Sequence, residues 1–411
     1  MHVLIYNLFP RLAGNFREWM SHLDRIKEMG FNWIYLNPFQ YSGFSGSLYA
    51  IKDYFSLNPI FIDEKSNLNP FEQLKQFLDS AHKFSIKVAM DLLINHTAKD
   101  HPFTEKYPFW YKRNEKGEIK SPGAWDNGRW VEWGDLAEIN NETNIERERL
   151  WNYWLEVISF YSDMGFDGFR ADAAYAVPQS LWEFLISKSK AKNKNLAFFA
   201  ESLGCPLEKT IMLAKAGFDF IFNSSKWWNY KDSWLIDQYR ETKKLVPSIS
   251  FPESHDTDRL YKESRNELEF KQRLIFTCFF STGWMIPIGL EYGFTKKLDV
   301  CKTTPFDWER TGLDFTDLIK KLINIKLKYR ILHEEGEIEN FVHSDEITLL
   351  IKKSNKNDER VLFLINTSLK KKKLKFKKFN LLFKTYKDIL SDRILTDELE
   401  LSPFDIRVLL T

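Results

Sequence analysis

Four apolar runs in this chain each close on titratable side chains, and that pattern narrows the fold before anything else does. Ile86 to Leu93 leads into Asn95 and His96, and Phe166 to Ala171 into Asp172. Leu196 to Ala200 leads into Glu201, and Ser248 to Phe251 runs through Pro252, Glu253 and Ser254 into His255 and Asp256. Short runs rich in Ile, Val, Phe and Ala, bounded by Gly or polar residues, read as buried strands. Strands apolar on both sides suit a parallel sheet. A closed parallel (β/α) barrel then brings all their C-terminal ends to one face, where such folds keep their chemistry.

The central run, Gly168-Phe169-Arg170-Ala171-Asp172-Ala173, sets a carboxylate beside a fixed cation. A guanidinium within a few ångströms favours the ionised acid and fixes its direction. That is what an attacking carboxylate needs. Taken alone, Arg170 and Asp172 equally describe a structural ion pair at a strand end.

The rest of the chain alternates as a barrel requires. Strands are expected over 3–6, 31–38, 86–93, 166–171, 197–201, 218–222, 249–253 and 284–290. Helices are expected over 16–29, 71–84, 150–164, 179–190, 208–216, 267–280 and 315–329, making residues 1–332 a (β/α)8 TIM barrel. The alternation lapses over 97–145, where prolines and glycines mix with Trp110, Trp125, Trp130 and Trp133, so an inserted small domain is expected there. Indole faces stack on the C–H faces of sugars, but they also build cores, and both readings stand. A long aromatic loop from Tyr41 to Pro59 carries Tyr49, Asp53 and Tyr54, and loops of that length are usually functional or disordered. From 335 to 411 short alternating runs predict an antiparallel β-sandwich.

Composition excludes several classes. Lys and Arg number 59 against 57 Asp and Glu, which argues against a nucleic-acid or polyanion partner. The basic stretch Lys370 to Lys378 alternates with Leu374 and Phe376, as a strand with one solvated face does. Cys205, Cys278 and Cys301 have no C-x-x-C spacing, so neither a disulfide framework nor a zinc site is indicated. The first residues read as a strand rather than a signal peptide, and no run approaches the ~20 apolar residues of a membrane span, so a cytoplasmic protein is expected.

Asp91-x-x-x-Asn95-His96, Gly168-Phe-Arg-x-Asp172, Ala200-Glu201 and Ser254-His255-Asp256 resemble, in order and approximate spacing, the four signature motifs of the α-amylase superfamily, glycoside hydrolase family 13. Tyr49-x-x-x-Asp53-Tyr54 and Asp135-Leu-Ala-Glu138-Ile-Asn140 resemble two supporting elements of that family. The resemblance covers residues 1 to about 330. It implies retaining cleavage of α-glucosidic bonds, with Asp172 as nucleophile, Glu201 as general acid/base and Asp256 as the group that binds the distorted sugar. Retention requires carboxyl groups roughly 5–5.5 Å apart. The apolar approach Phe198-Phe199-Ala200 is expected to favour a protonated Glu201. Tyr49, Asp53, His96, Arg170 and His255 are implied substrate contacts, and 97–145 is implied to be domain B. No cofactor is required. Asn95 is a calcium ligand in many amylases, but a complete oxygen shell cannot be read from the chain.

The reaction's acceptor divides the alternatives. Many amylases carry a Lys-His pair after the nucleophile, where this chain has Tyr175-Ala176. Pro178, Pro206 and the segment Tyr107 to Gly117 resemble the maltosyl-transferring branch, which uses maltose 1-phosphate, although that branch's extra N-terminal domains are not expected here, residues 3–6 reading as strand one. The segment Asn95 to Phe103 resembles short-chain α-glucosidases. Trp227, Trp228 and Tyr230, with Trp125 and Trp130, are expected to form an aromatic acceptor platform. The substrate is expected to be an α-glucan or maltooligosaccharide, with no nucleic-acid or membrane partner. Catalytically inactive relatives serve as transporter-associated subunits, but they lose the carboxylates that this chain keeps.

Overall fold

The computed structural model describes residues 2–126, 128–344, 346–375, 385–396 and 398–411. Eight strands form a closed barrel: β1 (Leu4–Leu8), β2 (Trp33–Leu36), β3 (Lys87–Leu92), β4 (Gly168–Ala171), β5 (Ala197–Ala200), β6 (Phe220–Phe222), β7 (Ser248–Ser250) and β8 (Gly283–Pro287). Each strand neighbours the next in sequence, and β8 closes on β1. The pairings are parallel, with Arg170 in register with Asp91 on β3 and with Phe199 on β5. The barrel expected from the apolar runs is the barrel observed.

Local chemistry explains the connections. Helix α1 (Phe16–Met20) starts at Asn15, whose side chain accepts from the Arg17 and Glu18 amides while Glu18 returns a bond to the Asn15 amide. Its end comes earlier than the apolar periodicity implies. The Ser21 hydroxyl and amide both turn back to the Glu18 carbonyl, and a second helix, α2 (Leu23–Met29), follows. Gly30 ends it in the left-handed conformation, φ 101°. Helix α3 (Pro70–Lys83) repeats the device, with Asn69 and Glu72 as a capping box and Pro70 at the first position. Later crossovers use α4 (Arg147–Met164), α5 (Gln179–Lys192), α6 (Leu207–Lys215), α7 (Trp234–Thr242), α8 (Glu267–Phe280) and α9 (Thr316–Lys328).

The chain divides into two compact units, Tyr6–Ile221 with Leu298–Trp308, and Met1–Ile5 with Phe222–Lys297 and Glu309–Thr411. In the first, residues 97–145 hold little regular structure. His96–Ala98 pairs antiparallel with Leu136–Glu138, and Gly123–Asp126 pairs antiparallel with Arg129–Glu132. Trp110 is buried there, stacked on Tyr107 with ring centroids 4.4 Å apart, so it is a core residue. Trp130 and Trp133 are exposed.

In the second unit, β9 (Glu337–Ser344), β10 (Ile347–Lys353), β11 (Arg360–Asn366), β12 (Lys372–Lys375), β13 (Tyr386–Asp388), β14 (Arg393–Leu395), β15 (Glu398–Leu401) and β16 (Ile406–Leu410) form two antiparallel sheets. Six strands run in the order β9-β10-β11-β16-β13-β14, and β12 pairs with β15. Leu374, Leu399 and Leu401 of the small sheet share one core with Leu349, Ile351, Leu362, Leu364 and Leu409 of the large one, as in a sandwich. The basic stretch lies partly in this small sheet, with Lys373 opposite Glu400 and Lys375 opposite Glu398. Phe376, Lys377 and Lys378 lie outside the described residues.

Candidate active site

Arg170 is the hub. Its side chain is buried, and Nη1 donates to Asp91 Oδ1 at 2.8 Å and to Asp172 Oδ1 at 2.9 Å, while Nη2 lies 3.0 Å from Glu201 Oε2. The parallel register explains the convergence: Arg170, one residue from the end of β4, sits directly beside Asp91 on β3, and Asp172 and Glu201 follow their strands. Burial opposes the guanidinium's charge, but the Asp91 and Glu201 carboxylates outweigh it and hold Arg170 well above its ordinary range. Asp172 keeps 8% exposure, and Glu201 is half-buried.

Asp91 is fully engaged. Its Oδ2 accepts from Tyr35 Oη at 2.6 Å and Tyr49 Oη at 2.7 Å, and its side chain has no exposure. Asn37 Nδ2 donates to Tyr49 Oη at 2.9 Å, and Asn7 Nδ2 donates to Asn37 Oδ1 at 2.8 Å. Burial pushes the Tyr35 hydroxyl well up, so it stays a neutral donor. A chain of hydrogen bonds thus runs from β1 through β2 to Asp91, which in turn fixes Arg170. Sequence reasoning gave no role to Asn7, Tyr35 and Asn37. The available signal was period-two polarity at the ends of β1 and β2, Tyr35 and Asn37 being two apart on one face.

Glu201 is held differently from the apolar setting expected of it. Its Oε2 also accepts the Ala173 backbone N–H at 2.7 Å, and Ala173 takes a left-handed φ of 40°. Tyr175, next in the turn, is half-buried and feels both carboxylates: burial first, then the charges of Glu201 and Asp172, push its hydroxyl up. Tyr175 also lines a cavity of about 430 Å³ with Glu142, Pro178, Gln179, Lys209 and Met212.

The other expected contacts divide. Tyr49 is half-buried, with its hydroxyl anchored on Asp91. His96 Nε2 lies 3.1 Å from the Tyr49 carbonyl, and burial pushes its imidazole down to about 4. Neutral His96 therefore donates from Nε2 and carries its lone pair on Nδ1. Asp53 is not in the cluster: its oxygens accept from the Phe55 amide and the Ser56 hydroxyl, closing its own turn. In the other unit, His255 Nε2 lies 3.0 Å from Asp256 Oδ2, with His255 buried and Asp256 exposed.

The aromatic platform needs correction. Trp228 has no exposure, donates from Nε1 to the Asp232 carbonyl at 2.7 Å, and packs on Tyr230 and on Phe276 of α8. Tyr230 is buried beneath the Arg273 guanidinium, 4.3 Å from its ring centroid. The turn after β6 directs both rings into the core, so neither can stack on a sugar. Trp227 is 50% exposed and remains. Trp130 is exposed, and Trp125's side chain lies outside the described residues.

Comparison with known proteins meets this geometry. Residues 2–112 match the family described as "Glycogen debranching enzyme, glucanotransferase domain". An α-1,4-glucan:maltose-1-phosphate maltosyltransferase of Burkholderia pseudomallei is 23% identical over 89% of this chain and 33% of that protein. A second, from Picrophilus torridus, is 25% identical over 88% of this chain and 60% of its own length. The solved α-amylase of Lactobacillus plantarum superposes with a TM-score of 0.81 at 22% identity, covering 100% of this chain and 98% of that one.

Over most of its length the chain is thus similar to maltosyltransferases and, in its fold, to a solved α-amylase. It spans one third and three fifths of the lengths of the two maltosyltransferases. Many amylases hold a calcium ion at the position of Asn95. Asn95 Oδ1 is buried with no partner, yet among the described residues no three His, Cys, Asp or Glu side chains gather to hold a metal ion. Among the described residues, no helix is long and apolar enough to cross a membrane.

Proposed function

We propose that this chain is an α-retaining glycoside hydrolase or transglycosylase acting on α-glucans or maltooligosaccharides. The observation that carries the reading is Arg170 bridging Asp172 and Glu201 through its two terminal nitrogens. Two carboxylates on one guanidinium stand only a few ångströms apart, which supports the close separation of a retaining pair over the wider one of an inverting pair. Asp172, paired with Arg170 and aimed by it, attacks the anomeric carbon to form a glycosyl-aspartate. Glu201 gives its proton to the departing glycosidic oxygen, then takes one back from water or a sugar hydroxyl as the intermediate is resolved. Asp256 and His255 bind hydroxyls of the distorted ring.

Transfer is favoured by one feature in particular. The cavity that Tyr175 lines offers a ring and neighbouring polar groups to an acceptor, and Tyr175 itself feels the charges of Glu201 and Asp172. A sugar resting there presents its hydroxyl at high effective concentration and keeps water away. The maltosyltransferase relatives make maltose 1-phosphate a donor to test; a short-chain α-glucosidase is the hydrolytic alternative. A role as an inactive binding subunit is disfavoured by the intact Asp172, Glu201 and Asp256. The test is a panel of maltooligosaccharides, sucrose, trehalose, and maltose 1-phosphate with glycogen, each with and without acceptor. Absence of turnover on every member, together with wild-type ligand binding, would point to the non-enzymatic reading instead.

A further inference from the structure

Glu253 is a buried carboxylate that the proposed chemistry does not use. It lies just beyond β7, two residues before His255, at 1% exposure. One oxygen accepts from Arg259 Nη1 at 2.8 Å, and the other accepts the backbone N–H of Leu260. Both partners lie on the far side of the turn that carries His255 and Asp256, so Glu253 closes the mouth of that turn. Arg259, also 1% exposed, extends the tie: Nη1 donates to the Ile288 carbonyl at 3.0 Å and Nε to the Lys296 carbonyl at 3.0 Å. Within the staple the turn folds on itself, with Ser254 N–H donating to Thr257 Oγ1 at 3.0 Å and Asp256 N–H to Ser254 Oγ at 3.3 Å. Asp256 projects from this scaffold, its side chain 58% exposed.

Stability alone does not account for such a pair. Two charges taken from water are often replaced by packed apolar residues with no loss, or with a gain, in stability. Arg259 Nη2 is moreover buried with no partner, an added cost. What the pair does supply is geometry, because its bonds fix both ends of one turn and anchor it to the segment after β8. We propose that Glu253 and Arg259 are positioning residues, which hold the His255–Asp256 pair in the orientation that binds the transition state. The inference rests on the reading of Asp256 as the group that binds the distorted sugar.

The experiment replaces the pair together, Glu253→Leu with Arg259→Met, in the full chain. Kinetics use whichever panel member the parent turns over, and the crystal structures of parent and variant are compared. The expected result is a melting temperature at or above the parent's, a kcat lower on the order of a hundredfold, KM little changed, and Asp256 displaced. A folded variant with unchanged kcat and Asp256 in its original position overturns the proposal. Should the double variant not fold, Arg259→Lys and Glu253→Gln carry the same readouts. Arg259→Lys keeps a cation for Glu253 and should retain more kcat than Arg259→Met; equal losses at equal stability would count against positioning. Asp256→Asn separates the two readings. If it leaves turnover intact, the role of Asp256 fails, while the displacement of Asp256 in the pair variant still judges the staple.

Discussion

The backbone N–H of Ala173 donates to Glu201 Oε2 at 2.7 Å, from a residue held at φ 40°. A non-glycine residue in that region is strained, on the order of 1 kcal/mol or more. The strain is matched by an amide aimed at the proposed acid/base. Ala173→Gly keeps the amide and relieves the strain, so turnover should stay close to the parent's and the melting temperature should hold or rise. Ala173→Pro removes the N–H and cannot adopt a positive φ. Its turnover should fall well below that of the glycine variant. A folded, fully active proline variant, checked by circular dichroism, would remove the amide from the mechanism.

Asp172→Asn changes one atom and removes the attacking charge. Arg170 keeps Asp91 and Glu201 as partners, so the cluster should stay intact. Turnover should drop by several kcal/mol of barrier, each ~1.4 kcal/mol being tenfold in rate. Melting temperature and maltooligosaccharide binding by calorimetry should be nearly unchanged. Near-parental activity would exclude Asp172 as nucleophile.

Trp228→Ala should act on stability. The indole is buried against Tyr230 and Phe276, and emptying such a site costs about 3–5 kcal/mol. Denaturant midpoints should fall, with the ratio of transfer to hydrolysis unchanged in the folded fraction. Trp227→Ala, at an exposed ring, should leave stability intact. A selective change in product ratio for Trp228→Ala, at parental stability, would contradict its core placement.

These tryptophans mark where the sequence is readable. The barrel was legible because buried parallel strands are apolar throughout and surrender their charges only at the end, as at Asp172 and Glu201. The orientation of Trp228 was not, because a short turn after a strand has no period from which an inward face can be read. The clasp of Asp91 by Tyr35 and Tyr49 joins residues 56 and 42 positions apart, so no local pattern reveals it. The early end of α1 was hidden for a related reason: the apolar stripe of 16–29 runs on through a break made by Ser21's own hydrogen bonds.

Acid should unfold the protein through its buried histidines. Burial pushes His96 and His101 down to about 4, against 6.5 when free. Between those values the unfolded chain binds protons that the folded chain does not, so the contribution of these histidines to stability is constant above pH 6.5 and is lost as pH falls toward 4. For the fully buried His96 the loss is on the order of 3 kcal/mol at the bottom of that window. Urea titrations from pH 7 to 4.5 should show this slope, and His101→Gln should make it shallower. An identical slope in that variant would mean that His101 does not resist protonation in the fold.

Tyr175 offers the sharpest test of where an acceptor rests. It occupies the position where many amylases have a cation, it feels the charges of Glu201 and Asp172, and it lines the 430 Å³ cavity with Lys209 and Met212. A flat ring there can hold a sugar by its C–H face, a contact that needs no hydroxyl. Tyr175→Phe should therefore keep the parental balance of transfer to hydrolysis. Tyr175→Ala removes the face and opens the site to water, which competes for the intermediate on Asp172. With a maltooligosaccharide donor and rising acceptor, longer products should appear for the parent and Tyr175→Phe, and give way to free sugar in Tyr175→Ala. Donor consumption should change less than product ratio, because the ring acts after the first bond is broken. If all three enzymes give the same ratio at every acceptor concentration, the acceptor rests elsewhere, and the exposed Trp227 is the next ring to remove.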